Sequence, residues 1–342
     1  MSAEPKVSER AEVSEAPKAP PTRGLARRIA LGTVLGALVF AGLSLYGDVR
    51  ALFANLSTFA WSTFALALAL SSTNYAIRFL RWQYYLRALE VRVPVVESLL
   101  VFLAGFVMSV TPGKLGEVFK SFLLWEARDV SLARTAPIVL AERLTDLLAL
   151  VALTAIGSLF FDQGALIAAL AAGLVFAVIA VVSIRPLAEA ALALAAKLPV
   201  IGRAAPKLRE AWEALAILVR PGPLVMATLL ATGSWGLECV ALWAIVRGFA
   251  GAAIDLGPAS LAYAASTIAG ALAMLPGGLG VTEAGMAGSL QVLGAGITPP
   301  IATGATLLVR LATLWWAVVV GAAALLALRR RSFRALRAGE LG

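Results

Sequence analysis

The sequence predicts an all-α, polytopic membrane protein with six full crossings and two re-entrant Pro-Gly hairpins. Three observations predict it. Of 342 residues, 60% are apolar and 14% are charged, well under the quarter or so of charged residues in a soluble domain. Six largely apolar stretches approach or exceed the roughly 20 residues needed to traverse about 30 Å of hydrocarbon. On the resulting topology, 23 of the 29 Lys and Arg residues fall on one side, against Arg50 and Arg247 on the other. That asymmetry places the rich side, with both termini, in the cytoplasm. A net charge of +9 on a chain with so little polar surface does not describe a nucleic-acid binder. With no histidine and Cys239 as the single cysteine, Ser-His-Asp hydrolysis, histidine metal ligation, a thiolate cluster and an intramolecular disulfide are all excluded. No cofactor or metal is expected.

Residues 1–24 interleave Pro5, Pro17, Pro20 and Pro21 with Glu, Lys, Ala and Ser. Such a segment cannot bury enough apolar surface to offset its ordering entropy and reads as a disordered cytoplasmic tail. The membrane domain is expected over 25–330, with crossings at 29–46, 55–77, 136–161, 163–184, 223–246 and 300–328. The run at 29–46 follows Arg23, Arg27 and Arg28 and lacks a small-residue cleavage site, so it reads as a retained anchor. Residues 331–342 form a basic C-terminal tail. The 185–222 loop carries Leu208, Ala211, Trp212, Leu215 and Val219 at helical spacing. That helix lies either on the membrane interface or against the end of the bundle.

Two further apolar stretches are interrupted. Ser98 to Thr111 ends at Pro112-Gly113-Lys114-Leu115-Gly116-Glu117 and resumes to Trp125; Ala259 to Leu275 ends at Pro276-Gly277-Gly278-Leu279-Gly280 and resumes to Gly294. The returning arms are too short to cross comfortably, so both read as re-entrant hairpins whose tips are buried in protein or line a wet cavity. Gly113, Gly116, Gly277 and Gly280 sit where the chain must reverse, a place that calls for positive φ or close backbone approach. Laid over one another, the two breaks suggest a duplication, with half-repeats at about 29–161 and 163–328. Three crossings per half make the second copy inverted, a recurrent transporter plan.

Ionisable residues inside these segments are the candidate site. Glu142 and Asp146 lie one helical turn apart with Arg143 between them, as either a ligand or proton site or an ion pair locking two helices. Lys114, Glu117 and Lys120 flank the first break, where either freed N–H groups and a positive helix end suit an anion or the lysines snorkel to the cytoplasmic surface from a shallow hairpin. The second hairpin carries Glu283 only, and Arg310 in the last crossing has Glu283 or Glu238 as its candidate counter-charge. Lys114, Lys120, Arg143 and Arg310 are the expected substrate-binding cations; Glu117, Glu142, Asp146 and Glu283 balance charge or carry protons. Arg78 and Arg81, beside Trp82, Tyr84 and Tyr85, read as interfacial anchors in an aromatic belt.

Together, Arg78-x-x-Arg81-Trp82, Thr111-Pro112-Gly113-Lys114-Leu115-Gly116-Glu117, Glu142-Arg143-Leu144-Thr145-Asp146 and Leu275-Pro276-Gly277-Gly278-Leu279-Gly280-Val281-Thr282-Glu283 make the chain resemble the lysylphosphatidylglycerol synthase transmembrane family. The similarity covers roughly residues 29–328. Bifunctional members join a flippase-like membrane domain to a cytosolic synthase domain; only 14 residues follow Leu328, so a stand-alone member is expected. The resemblance implies a non-enzymatic translocase in the cell membrane, moving an anionic phospholipid or lipid-linked intermediate between leaflets. Membrane lipids are its expected partners, with a separate lipid-modifying enzyme as a possible one. Two alternatives stay open: a membrane glycosyltransferase using a polyprenyl-phosphate donor, and a non-catalytic partner of a lipid-modifying synthase.

Overall fold

Helices account for the regular structure of the described residues, apart from one isolated antiparallel bridge between Ala253 and Ala295. The computed structural model describes residues 34–45, 48–110, 118–159 and 205–339, with residues 166, 169, 170 and 173 between them. The tail at 1–24 and nearly all of the crossing at 163–184 lie outside the described residues.

Helices α1 (Val34–Leu45) and α2 (Val49–Ser57) meet at 92°. Asp48 makes the corner: its φ is 59° and its carboxylate accepts from the N–H groups of Arg50 and Ala51, capping α2. The described part of the expected first crossing is therefore one arm of a bent pair. Helix α3 (Trp61–Ala88) has 28 residues, about 42 Å at 1.5 Å per residue. Its apolar run ends at Ile77, but the helix continues, with Arg81 buried and paired to Asp146. Next come α4 (Val95–Ala104), a 3₁₀ turn at Gly105–Val110, α5 (Phe119–Arg128) and α6 (Leu132–Ser158).

After the undescribed stretch, α7 (Ala205–Leu218) packs against α6 and buries Ala214 and Leu218, which favours the bundle-end reading of that helix. Helix α8 (Pro221–Arg247) starts with proline in its first turn, where the missing N–H costs no hydrogen bond. Helix α9 (Leu256–Leu272), a short 3₁₀ turn at Pro276–Gly278 and α10 (Val281–Leu293) form the second interrupted element. Helix α11 (Pro299–Arg310) runs through a π-helical turn at Leu311–Trp315 into α12 (Trp316–Gly339). The basic C-terminal segment is helical as far as Gly339.

By length and composition alone, two described helices suffice to cross a membrane, over Pro221–Arg247 and Pro299–Arg330, or three if the bent α1–α2 pair is one span. Helices α3 and α6 have the length, with polar or charged residues among their apolar ones.

The packing alternates between the two parts of the chain. Helices α3 and α8 lie along one another as the most extensive pair. Helix α6 packs on α9, the first arm of the second interrupted element, while α12 packs on α4, the first arm of the first. Both close approaches are made through glycine. A Cβ at Gly157 of α6 would lie 2.7 Å from the Gly257 carbonyl oxygen, and one at Gly321 of α12 would lie 2.6 Å from the Val107 nitrogen. Gly157 and Gly321 each fall 45 residues after the proline of their own break, Pro112 and Pro276. Two buried apolar clusters result. One joins α3, α6, α8, α9, α10 and α11; the other joins the C-terminal half of α3 to α4, α5, α7 and α12, with Ile138 and Ala141 of α6 and Ala227 of α8.

Candidate functional site

The charged groups collect where the interrupted elements touch the long helices. Helix α5 returns from the first break and presents Lys120 to α6. The lysine stem lies against Gly105, where a Cβ would sit 2.5 Å from Lys120 Cγ. Its ammonium donates to Glu142 Oε2 at 2.6 Å and lies 4.8 Å over the Trp82 ring and 5.5 Å over that of Phe102. Both charged side chains are buried, at 4% and 1% exposure. One turn further along α6, Asp146 is shared between two guanidinium groups. Oδ1 accepts from Arg81 Nη1 of α3 at 2.7 Å, and Oδ2 lies 2.9 Å from Arg143 Nη2. Arg81 Nη1 also reaches Thr145 Oγ1 at 3.2 Å, and Tyr85 Oη lies 3.4 Å from the same hydroxyl.

Arg81 is therefore no interfacial anchor. It is fully buried, as are Trp82 and Tyr85, and the Trp82 indole N–H donates to Ser98 Oγ at 3.0 Å. For Arg81, Trp82 and Tyr85 the belt reading fails because α3 carries them on into the protein, where Asp146 pairs with Arg81 and Ser98 accepts from Trp82. Pro112, Gly113, Lys114, Gly116 and Glu117 lie outside the described residues.

The second break is closed by its own pair. Arg310 Nε of α11 donates to Glu283 Oε1 of α10 at 2.5 Å, and Arg310 Nη2 donates to the Gly277 carbonyl at 2.7 Å. Glu283 Oε2 accepts from the Gly280 N–H at 2.6 Å, capping α10. Of the two candidate counter-charges, Arg310 thus takes Glu283. Gly277 and Gly280 have φ of 62° and 90°, the left-handed region in which L side chains are strained. In the first half the returning arm supplies a cation and the long helix an anion; in the second half the signs are exchanged. The 3₁₀ turn that precedes the first break adjoins the second break, with a Cβ at Gly277 reaching 3.6 Å from the Ser109 carbonyl oxygen.

Glu238 of α8 is buried among neutral donors, accepting from Asn74 Nδ2 of α3 and Tyr263 Oη of α9. Tyr75 Oη donates at 3.0 Å to the Thr313 carbonyl inside the π-helical turn. Among the described residues no group of three metal-ligating side chains occurs.

Residues 29–321 match the family model described as the lysylphosphatidylglycerol synthase TM region. The chain belongs to this family. It is accordingly a multi-pass helical membrane protein, and the search of curated proteins finds no match. In this lysylphosphatidylglycerol synthase TM-region protein, sequence reasoning located Lys120, Glu142, Arg143, Asp146, Glu283 and Arg310. It missed Asn74, Tyr75, Arg81 and Tyr263 as members of the buried network. A signal for the α3 residues was present: Ser71, Asn74, Arg78 and Arg81 recur at spacings of three, four and three, one face of a helix that outlasts its apolar run.

Proposed function

We propose that this protein translocates an anionic phospholipid or lipid-linked intermediate between bilayer leaflets, without covalent chemistry of its own. One observation carries the reading. Two interrupted helices meet near Ser109 and Gly277, and each returning arm closes a buried ion pair onto the long helix that follows it. Ionisable groups held within a membrane domain mark transport pathways, and paired interrupted helices at a repeat interface are a transporter arrangement. The reciprocal packing of α6 on α9 and α12 on α4 supports an inverted duplication as the frame for alternating access.

In this reading the ion pairs are releasable. A headgroup phosphate competes for Lys120, Arg143 or Arg310, with Lys114 beside the first break, while Glu142, Asp146 and Glu283 take protons or exchange partners, as does Glu117. The excess of Lys and Arg at the ends and in the 185–222 loop supports cytoplasmic termini in the cell membrane. The test uses purified full chain in liposomes containing headgroup-labelled phosphatidylglycerol. Wild type should carry inner-leaflet label to an impermeant quencher faster than protein-free vesicles. Folded protein that leaves the label inside overturns the reading, and sugar transfer from a polyprenyl-phosphate donor would replace it with the glycosyltransferase.

A further inference from the structure

We propose that the guanidinium of Arg78, with that of Arg81 one turn on, forms an oxyanion site for the phosphate of a lipid headgroup; this deepens the translocase reading and rests on it. Lys120, Arg310, Arg81 and Arg143 each have a carboxylate partner within 3 Å. Arg78 differs. Among the described residues no carboxylate lies within ion-pair distance of it. Asp146 gives its two oxygens to Arg81 and Arg143, Glu142 gives Oε2 to Lys120, and Glu238 accepts from Asn74 and Tyr263. The Arg78 guanidinium lies instead 5.4 Å over the Phe106 ring and 6.0 Å over that of Trp235. Aromatic faces balance its charge but do not use up its N–H groups as an oxygen would.

The unused donors belong to residues three apart, which share one face of α3. Arg78 Nε, Arg81 Nε and Arg81 Nη2 are buried with no hydrogen-bond partner among the described residues, on the helix face that also holds Ser71 and Asn74. A buried donor left unpaired is costly, and five-donor planar forks match the oxygens of a phosphate better than any neutral ligand. Arg81 is fully buried whereas Arg78 is half-buried, so Arg78 is the member of the pair an entering headgroup meets first. Phe106 comes from the turn before the first break and Trp235 from α8, so the site stands between the two halves, beside the charge networks already described.

Retention of lipid by the purified full chain, read by native mass spectrometry, tests the site separately from transport. Phosphatidylglycerol, phosphatidylcholine and inorganic phosphate are the probes. Wild type should hold phosphatidylglycerol over phosphatidylcholine, and Arg78→Gln should lower phosphatidylglycerol retention by roughly ten- to a hundredfold, the worth of a charge-assisted contact. Arg128→Gln, in an exposed pair with Glu97 remote from the site, should change nothing. Arg78→Lys keeps the charge without the fork and serves if the glutamine variant does not fold; it should weaken retention several-fold. Displacement by inorganic phosphate marks a site for phosphate groups in general, and resistance to it marks one for the lipid; both uphold the oxyanion site. Unchanged phosphatidylglycerol retention in a folded Arg78 variant overturns the proposal. That result would leave the translocase reading standing, since the reading falls only if wild-type protein fails to move labelled lipid.

Discussion

Lys120→Met or Glu142→Leu alone should destabilise the protein, and the two together should restore most of the stability. The two side chains are 4% and 1% exposed and 2.6 Å apart, so either one alone is a buried charge without its partner. Breaking such a pair costs about 3–5 kcal/mol. Methionine suits position 120 because the space beside Gly105 admits an unbranched stem. The double variant should lie within about 1.5 kcal/mol of wild type, as volume-conserving apolar replacements usually do. Equilibrium unfolding in detergent micelles at pH 7, followed by helical circular dichroism, measures all three. A double variant no better than either single would refute the reasoning.

Gly277→Ala places a Cβ at φ 62° and 3.2 Å from Leu314 Cδ2; the same unfolding assay should show a loss of about 1–2 kcal/mol from the left-handed backbone alone. Gly157→Ala drives a methyl group into the α9 backbone at Gly257 and Leu261, and about 1–3 kcal/mol should be lost from overpacking. Trp82→Phe removes the donor to Ser98 Oγ and should cost about 0.5–1.5 kcal/mol. In a Cys239→Ser background, impermeant thiol reagents applied from outside should reach cysteines near residues 50, 251 and 297 and should not reach one at 203; labelling at 203 would invert the topology.

Much of this arrangement could be read from the sequence, and two of the failures share a cause. Helix α8 was expected over 223–246 and spans Pro221–Arg247, because an uninterrupted apolar run bounded by proline and glycine defines itself. The second break was legible because Pro-Gly chemistry is local, and Glu283 was among the two partners foreseen for Arg310. Helix α3 was cut short at Ile77 because counting apolar residues treats Arg78 and Arg81 as the edge of the membrane. What neutralises Arg81 is Asp146, 65 residues away, and only tertiary packing brings it there. Lys120 and Glu142 were both singled out, yet no spacing rule joins residues on separate helices. The 92° corner at Asp48 escaped for a different reason: the apolar run gives no sign of a bend that a single side chain makes by capping the next helix.

The exchanged signs of Lys120–Glu142 and Glu283–Arg310 also bear on how the chain assembles during synthesis. Two halves with similar interrupted elements could in principle swap arms, each docking on the other's long helix. Here the wrong combinations would set Lys120 against Arg310 and Glu283 against Glu142, like charges buried together in a medium that screens them poorly. Only the native combinations neutralise. The pairs therefore act as an address for each arm, and a chain with Lys120→Glu and Glu142→Lys would carry the same number of ion pairs while losing the means to tell its two halves apart.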